Sequence, residues 1–268
     1  MKSALFLLAA LAVIPATAFA YGTRSYASAP AYDRPTTVAV PVSGSIAMPG
    51  LGTAVYTNPA GLSRANDVRL SLQGGSDHPM DNPSYRALLS GGNGTFGAAG
   101  GVKYGMRDGG EDTGYAVYGL AVNVESLGFS LGVAGASGIK NADGSDFNAG
   151  LLFRPTSMVT IGGTAMGLKD RPESYGVGVG LELTGGVDLV ADSAFDRDFR
   201  NGEFKPGLRL ANEFAGLSLS YGTGATEQFA KDFSAAAYLR ISANSDLEFE
   251  YNHGGDLPKY FASLSFRF

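Results

Sequence analysis

The 268-residue chain contains no cysteine and no tryptophan, and only two histidines. Without cysteine there is no disulfide framework and no thiolate-based zinc or redox site. Two histidines leave little material for His-rich metal centres. A basic surplus is missing as well: 20 Lys+Arg stand against 25 Asp+Glu, so nucleic acid is not an expected partner. Long apolar runs are absent after the first twenty residues, because small or polar residues interrupt every later apolar stretch, and this excludes a helical membrane span there. Glycine, by contrast, is abundant. Its 39 residues are about twice the usual share and show no collagen-like period, and they come with 16 Phe and 13 Tyr. A mean hydropathy near zero with so many aromatics is ordinary for alternating membrane strands.

Residues 1–20 read as an export signal. Lys2 supplies the positive start, Ala4 to Ile14 an apolar core too short to span a bilayer, and Ala18-Phe19-Ala20 a small-x-small cleavage site. The mature chain is then expected to begin at Tyr21. Without Lys2 it carries 19 basic and 25 acidic residues, a net charge of 19 − 25 = −6. Residues 21–66 contain Pro30, Pro35, Pro41, Pro49 and Pro59 and little sustained alternation. Residues 67–268 alternate with period two. Leu127, Phe129, Leu131 and Val133 alternate with Gly128, Ser130, Gly132 and Ala134; Tyr260, Ala262, Leu264, Phe266 and Phe268 alternate with Phe261, Ser263, Ser265 and Arg267. Such alternation means strands with one apolar and one polar or small face.

Short breaks are expected at Asn93-Gly94, Glu125-Ser126, Pro155-Thr156, Gly185-Gly186, Ala215-Gly216 and Ala243 to Asp246. Longer polar stretches are expected at Gly74–Ser84, Gly105–Thr113, Ala136–Asp146, Lys169–Ser174, Phe195–Glu203, Thr223–Lys231 and Gly254–Pro258. Six short and seven longer connections in strict alternation join fourteen strands. The fold class is therefore all-β: a transmembrane, antiparallel, up-and-down β-barrel of about 14 strands preceded by a hatch or plug segment. Twelve strands is the alternative if Val187 to Ala191 is loop. Phe266 and Phe268 form an aromatic C-terminus, the expected signal for the barrel assembly machinery. The expected location is the outer membrane of a Gram-negative-type bacterium, with outer-membrane lipid around the barrel.

On the inward parity lie Arg69, Lys103, Arg154, Glu182, Asp188, Asp192, Arg209, Arg240, Glu248, Glu250 and Arg267. Charges in such a lumen pair with one another or with a plug, and a barrel this wide is not filled by its own side chains. Residues 21–66 are the expected occupant, a periplasmic tail being the alternative. Within them, Val55-Tyr56-Thr57-Asn58-Pro59-Ala60-Gly61-Leu62-Ser63 resembles the hatch signature of the FadL/TodX family, outer-membrane transporters for long-chain fatty acids and other hydrophobic compounds. The core of the match is Asn58, Pro59, Ala60, Gly61 and Leu62, just ahead of the first strand. Read physically, Asn58 before Pro59 favours a turn, Pro59 fixes φ and Gly61 permits a tight return.

The resemblance implies passive transport of a hydrophobic ligand through a plugged barrel. The longer loops here run only about five to eleven residues, short of the extended loops from which the family builds an outer apolar groove. The family's kinked third strand, which opens sideways into the membrane, has its counterpart in Thr95 to Tyr104, where Gly97, Gly100 and Gly101 favour a bulge or kink. Leu152, Tyr238 and Phe261, on the inward parity, are candidates to line an apolar path or to pack on the hatch.

Little else suggests chemistry. His253 shares the outward parity of Leu247, Phe249 and Tyr251, whereas Ser263 and Ser265 face inward, so no hydrolase set converges. His78 lies beside Asp77 in a polar loop. Gly176-Val177-Gly178-Val179-Gly180 lacks the Lys-Ser/Thr and helix of a phosphate loop. Asn141, Asp143 and Ser145 begin like a calcium loop, but Asp146 stands where the turn glycine is needed and Leu152 where the bidentate Glu is needed. No catalytic residue, metal or cofactor is assigned. Two further functions stay open beside hydrophobic transport: a scaffold or shuttle for an export machinery, and a porin for small solutes. The sequence does not set the oligomeric state, and the short loops give no clear trimer interface.

Overall fold

The computed structural model describes residues 45–77, 81–106, 112–140, 145–169, 172–183, 186–199, 202–223, 231–254 and 257–268. The expected export signal, the first half of the expected hatch, His78, Asn141 and Asp143 lie outside these residues. The described chain starts inside the barrel with an extended stretch, the short helix α1 (Ala54–Thr57) and a 3-10 helix over Pro59–Arg64. Fourteen strands follow. The first seven are β1 (Val68–Asp77), β2 (Asp81–Gly92), β3 (Phe96–Gly105), β4 (Thr113–Val124), β5 (Phe129–Lys140), β6 (Ser145–Phe153) and β7 (Val159–Met166). The second seven are β8 (Ser174–Glu182), β9 (Val187–Asp196), β10 (Gly202–Ala211), β11 (Ala215–Thr223), β12 (Lys231–Ser242), β13 (Ser245–Gly254) and β14 (Leu257–Arg267). Each strand pairs with its sequence neighbours, and β1 closes on β14 from Arg69↔Arg267 to Asp77↔Lys259. Closure leaves no strand edge, as a sheet in lipid requires. Val187 to Ala191 is strand, which settles the count at fourteen.

Alternation decides which side chains meet lipid. Leu72, Val102, Leu131, Val133, Leu151, Ile161, Val177, Val179 and Leu219 are exposed on the outside. Aromatics collect at both ends of the strands, with Phe96, Phe153, Phe214 and Phe268 at one and Tyr85, Phe199, Phe204, Tyr221 and Tyr260 at the other. An apolar band between two aromatic girdles is the exterior of a membrane-spanning barrel. Inside are small and polar residues, among them Ser130, Thr160, Asp192, Ser218 and Ser234, all buried.

Two expectations about the connections need correction. The break expected at Ala215-Gly216 lies at 212–214, because the Asn212 side chain accepts from the amides of Phe214 and Ala215 and folds the turn around itself. Asn93 does the same for Thr95 and Phe96. Second, the strands run past the expected loop boundaries on the opposite side. Gly75 pairs with Ser84 and Asp77 with Asp81, so only 78–80 connect β1 to β2. The strict alternation of short and long connections does not hold, since 78–80 and 255–256 are as brief as the turns at the other end. Polar rim residues still have backbone to pair, and pairing extends the wall where side-chain alternation has ended. The β4–β5 turn needs its glycine: Gly128 closes the connection at φ 62°, and a Cβ there would meet the Arg154 carbonyl.

Val133 sits exposed midway along β5, and Val124 ends β4 at the turn rim. Val133→Arg is expected to destabilise the folded barrel by about 2–4 kcal/mol and Val124→Arg by no more than about 1 kcal/mol. Denaturant unfolding in lipid vesicles checks both, and equal effects would contradict this placement of the membrane.

Candidate functional site

The segment matched to the hatch signature sits inside the barrel, and Asn58 holds it together. Its backbone is extended (φ −148°, ψ 99°), and Pro59 occupies the first helical position that follows. The Asn58 side chain is fully buried. Its carbonyl oxygen accepts from the Ala60 amide at 3.2 Å, capping the 3-10 helix, and its NH2 donates to the Ile46 carbonyl at 2.7 Å and the Leu151 carbonyl at 3.0 Å. Both donors are thus used, one on the incoming hatch chain and one on the wall of β6. Gly61 is required by packing, since a Cβ there would overlap the Pro49 ring.

The wall receives the hatch on glycines, one or more from each of six consecutive strands. A Cβ on Gly97 of β3 would strike the Leu62 carbonyl, and one on Gly119 of β4 the side chains of Leu62 and Val55. On Gly132 of β5 it would strike the Pro59–Ala60 peptide, and on Gly150 of β6 the Asn58 amide. Gly162 of β7 lies under Ile46 and Ala47, and Gly176, Gly178 and Gly180 of β8 lie under Ile46, Ala47 and Met48. At the far end Asp192 of β9, also buried, accepts from the Ser45 hydroxyl and the Ile46 amide, both at 3.2 Å. Lys205 stands directly across the ladder from it.

Between these polar fixings runs an apolar contact. Leu51, Ala54, Val55 and Leu62 of the hatch pack against Leu88, Ala99, Val117, Ala121 and Ala134 on β2–β5, with Tyr56, Ala65 and Ala136 at the margin. Tyr56 also meets a cation at the edge of this strip: the Arg86 guanidinium of β2 lies 4.9 Å from its ring centroid and 5.9 Å from that of Phe261 on β14. Arg64, at the end of the 3-10 helix, donates to Ser130 at 3.3 Å. Burial, and secondarily the neighbouring Arg154, lower its proton affinity, while Glu182 opposes them.

The three candidate lining residues all point inward but do not come together. Leu152 is fully buried on β6, one residue beyond the Leu151 carbonyl that binds Asn58. Tyr238 lies over Gly216 at the turn end and donates to the Asn212 carbonyl. Phe261 faces Arg86 across β1. The apolar lining is instead the strip on β2–β5, whose three alanines, Leu88 and Val117 carry no signal in sequence that separates them from filler. The kink expected at Gly97, Gly100 and Gly101 is absent from the pairing. β3 pairs with β2 from Gly97 to Gly105 and with β4 from Phe96 to Gly105, with no register shift in either ladder. Gly97 is small because the hatch backbone rests on it, Gly101 because the β2 backbone lies close, and Gly100 faces outward into open space. His253 is exposed and stacks on Tyr251, away from Ser263 and Ser265.

No protein-family model matches the chain, and no curated protein matches it in sequence. Solved barrels do resemble it in fold. The "CymD monoaromatic hydrocarbon channel" aligns with TM-score 0.56 at 10% identity over 87% of this chain and 97% of its own. The Pseudomonas putida toluene transporter TodX aligns with TM-score 0.55 at 10% identity, over 86% and 95%. The KdgM porin aligns with TM-score 0.44 at 11% identity, over 75% and 99%. The class defined by fold and site is a closed fourteen-strand barrel with an internal hatch.

Asn58→Ala strands two carbonyls and uncaps the 3-10 helix, at about 1–3 kcal/mol of hatch docking. Hydrogen exchange over residues 45–64 is expected to speed up roughly ten- to hundred-fold while the barrel strands keep their protection. Equal loosening of hatch and wall would mean that Asn58 supports the barrel rather than the hatch.

Proposed function

We propose that this protein is an outer-membrane channel through which small hydrophobic molecules diffuse, with the hatch as its closure. The carrying observation is the apolar strip on β2–β5, covered by Leu51, Ala54, Val55 and Leu62. Burying that strip stabilises the closed state at roughly 25 cal/mol per Å². A hydrophobic solute that takes the hatch's place recovers part of the same term, which lowers the cost of displacing the hatch. No energy source is needed. Because the ladders flanking β3 are unbroken, the proposed route is axial, through the lumen. The fold shared with a hydrocarbon channel and a toluene transporter supports this reading.

A second reading, a porin for small polar solutes, is favoured by the other wall. There the inward residues include Ser71, Ser218, Ser220, Ser234 and Ser265, all hydroxyl-bearing.

Whole cells whose outer leaflet is lipopolysaccharide test the first reading, since that leaflet itself resists hydrocarbons. Expression is expected to raise the uptake rate of radiolabelled toluene. Gly132→Leu, which blocks the Pro59–Ala60 seat, should raise it further, and Leu88→Gln should lower it. Uptake no faster than in cells without the protein would refute hydrophobic transport. Faster uptake of a small sugar with no change for toluene would establish the polar reading.

A further inference from the structure

We infer that the lumen wall formed by β10–β13 carries a binding groove for a neutral polyhydroxylated solute, a sugar or sugar alcohol. The inference rests on the polar reading of the lumen for the route of entry, and it names the solute which that route takes. The groove's floor is two strands wide. Leu217 and Leu219 of β11 and Phe233 and Leu239 of β12 are exposed on the outside, so Ser218, Ser220, Ser234 and Ala236 between them point inward. Ser220 stands opposite Ser234 in the ladder and Ser218 opposite Ala236, and all four are buried. At the usual strand spacing such a floor is roughly 10 Å across.

Longer side chains rise along both edges. Arg209 of β10 pairs with Ser218 on one side, and on the other Glu250 and Asn252 of β13 pair with Ala236 and Ser234. Tyr238 closes the turn end, with its ring over Gly216 and its hydroxyl donating to the Asn212 carbonyl. Tyr238, Glu248 and Glu250 are half-buried. They shield the short floor residues, and a solute reaches the floor by turning these side chains aside.

Two of the floor hydroxyls are buried without a bond. Ser218 is 0% and Ser220 5% exposed, yet neither Oγ makes a hydrogen bond among the described residues. Ser234 beside them does, accepting from the Asn252 amide at 3.0 Å. A buried hydroxyl that bonds to nothing keeps its whole desolvation cost. Alanine would fill the same two places without that cost, so packing alone does not account for serine there. A solute hydroxyl, which both donates and accepts, satisfies either serine. Ions are served less well. Arg209 is bound to Asp188, Glu248 and Glu250 have interactions of their own, and the floor itself carries no charge. An ion on that floor exchanges its hydration for hydroxyls alone, whereas a polyol exchanges like for like. The Tyr238 ring supplies an apolar face for the C–H side of a pyranose.

Saturation-transfer NMR on the full chain in lipid nanodiscs tests the groove, with methyl α-glucoside as probe and choline and acetate as charged controls. The glucoside is expected to bind with a Kd on the order of 1–10 mM, and both ions about ten-fold more weakly. Combining Ser218→Ala with Ser220→Ala should weaken glucoside binding about ten-fold. The barrel's denaturation midpoint should hold or rise in that variant, because no bond within the protein is lost. Ser234→Ala should lower the midpoint instead, since it frees the buried Asn252 amide. The groove is overturned by the absence of a saturable glucoside signal, by equal binding of choline or acetate, or by unchanged binding in the double variant. A lower midpoint in the double variant overturns it too, since the two hydroxyls would then be holding the wall. Glycerol-driven swelling of vesicles carrying the protein reads the polar route by itself. Swelling without glucoside binding removes the groove and keeps the route, and binding without swelling does the reverse.

Discussion

A closed sheet of fourteen strands encloses more space than its inward side chains can occupy, and most of this molecule's peculiarities follow from that constraint. The space is taken in part by the chain's own N-terminal segment, laid along the wall rather than down the axis. Backbone can lie against backbone only where the side chain between them is absent. Inward glycines therefore recur on β3, β4, β5, β6, β7 and β8, each under a named hatch atom. The glycine excess in the composition is thus partly a footprint of the hatch: a Cβ at Gly132 or Gly150 would occupy space already held by Pro59 or Asn58.

The residue types of the Asn-Pro-Ala-Gly-Leu core follow from the same crowding. The position at Asn58 must offer two donors to two carbonyls and one acceptor to an amide, in a fully buried place. Asp lacks the donors, Ser has one, and Gln places its amide one methylene too far. Pro59 has no amide hydrogen to leave unpaired, Ala60 fits over Gly132, and Gly61 clears Pro49. Leu62 alone has bulk, and it enters the apolar cluster. One amide group therefore joins the incoming chain, the wall and the helix that leads into β1.

The period-two alternation that makes barrel strands legible depends only on local sequence, so the strand count and the inward and outward faces could be read directly. Strand ends could not. The Asn212 turn is set by one side-chain acceptor, and rim pairs such as Gly75↔Ser84 carry no hydrophobic pattern. Parity also says nothing about height or partner: Leu152, Tyr238 and Phe261 all point inward yet end up under the hatch, beside a turn and against Arg86. Gly97 looked like a weak point of strand three because its reason for being small lies 35 residues away, at the Leu62 carbonyl (97 − 62 = 35). Asp192 had no motif around it, and only the fold brings it to Ser45.

The hatch also divides the lumen into two unlike walls, and its two parts cover different ones. Residues 54–62 lie on the apolar strip of β2–β5, while residues 45–48 lie on β7–β9, beside Thr160, Thr164 and Asp192. The first part is close to its covalent junction with β1 and is held by Asn58 and by apolar burial. The second is held by two hydrogen bonds to one carboxylate and by shallow glycine seats. Release of residues 45–48 alone would uncover a polar surface and leave the strip closed, because Asn58 keeps its bond to Leu151 even when its bond to Ile46 is lost. Uncovering the strip requires Asn58 to leave the wall as well. The polar and the apolar surfaces of the lumen are therefore covered through different bonds within one short segment, and the apolar one is the more tightly held of the two.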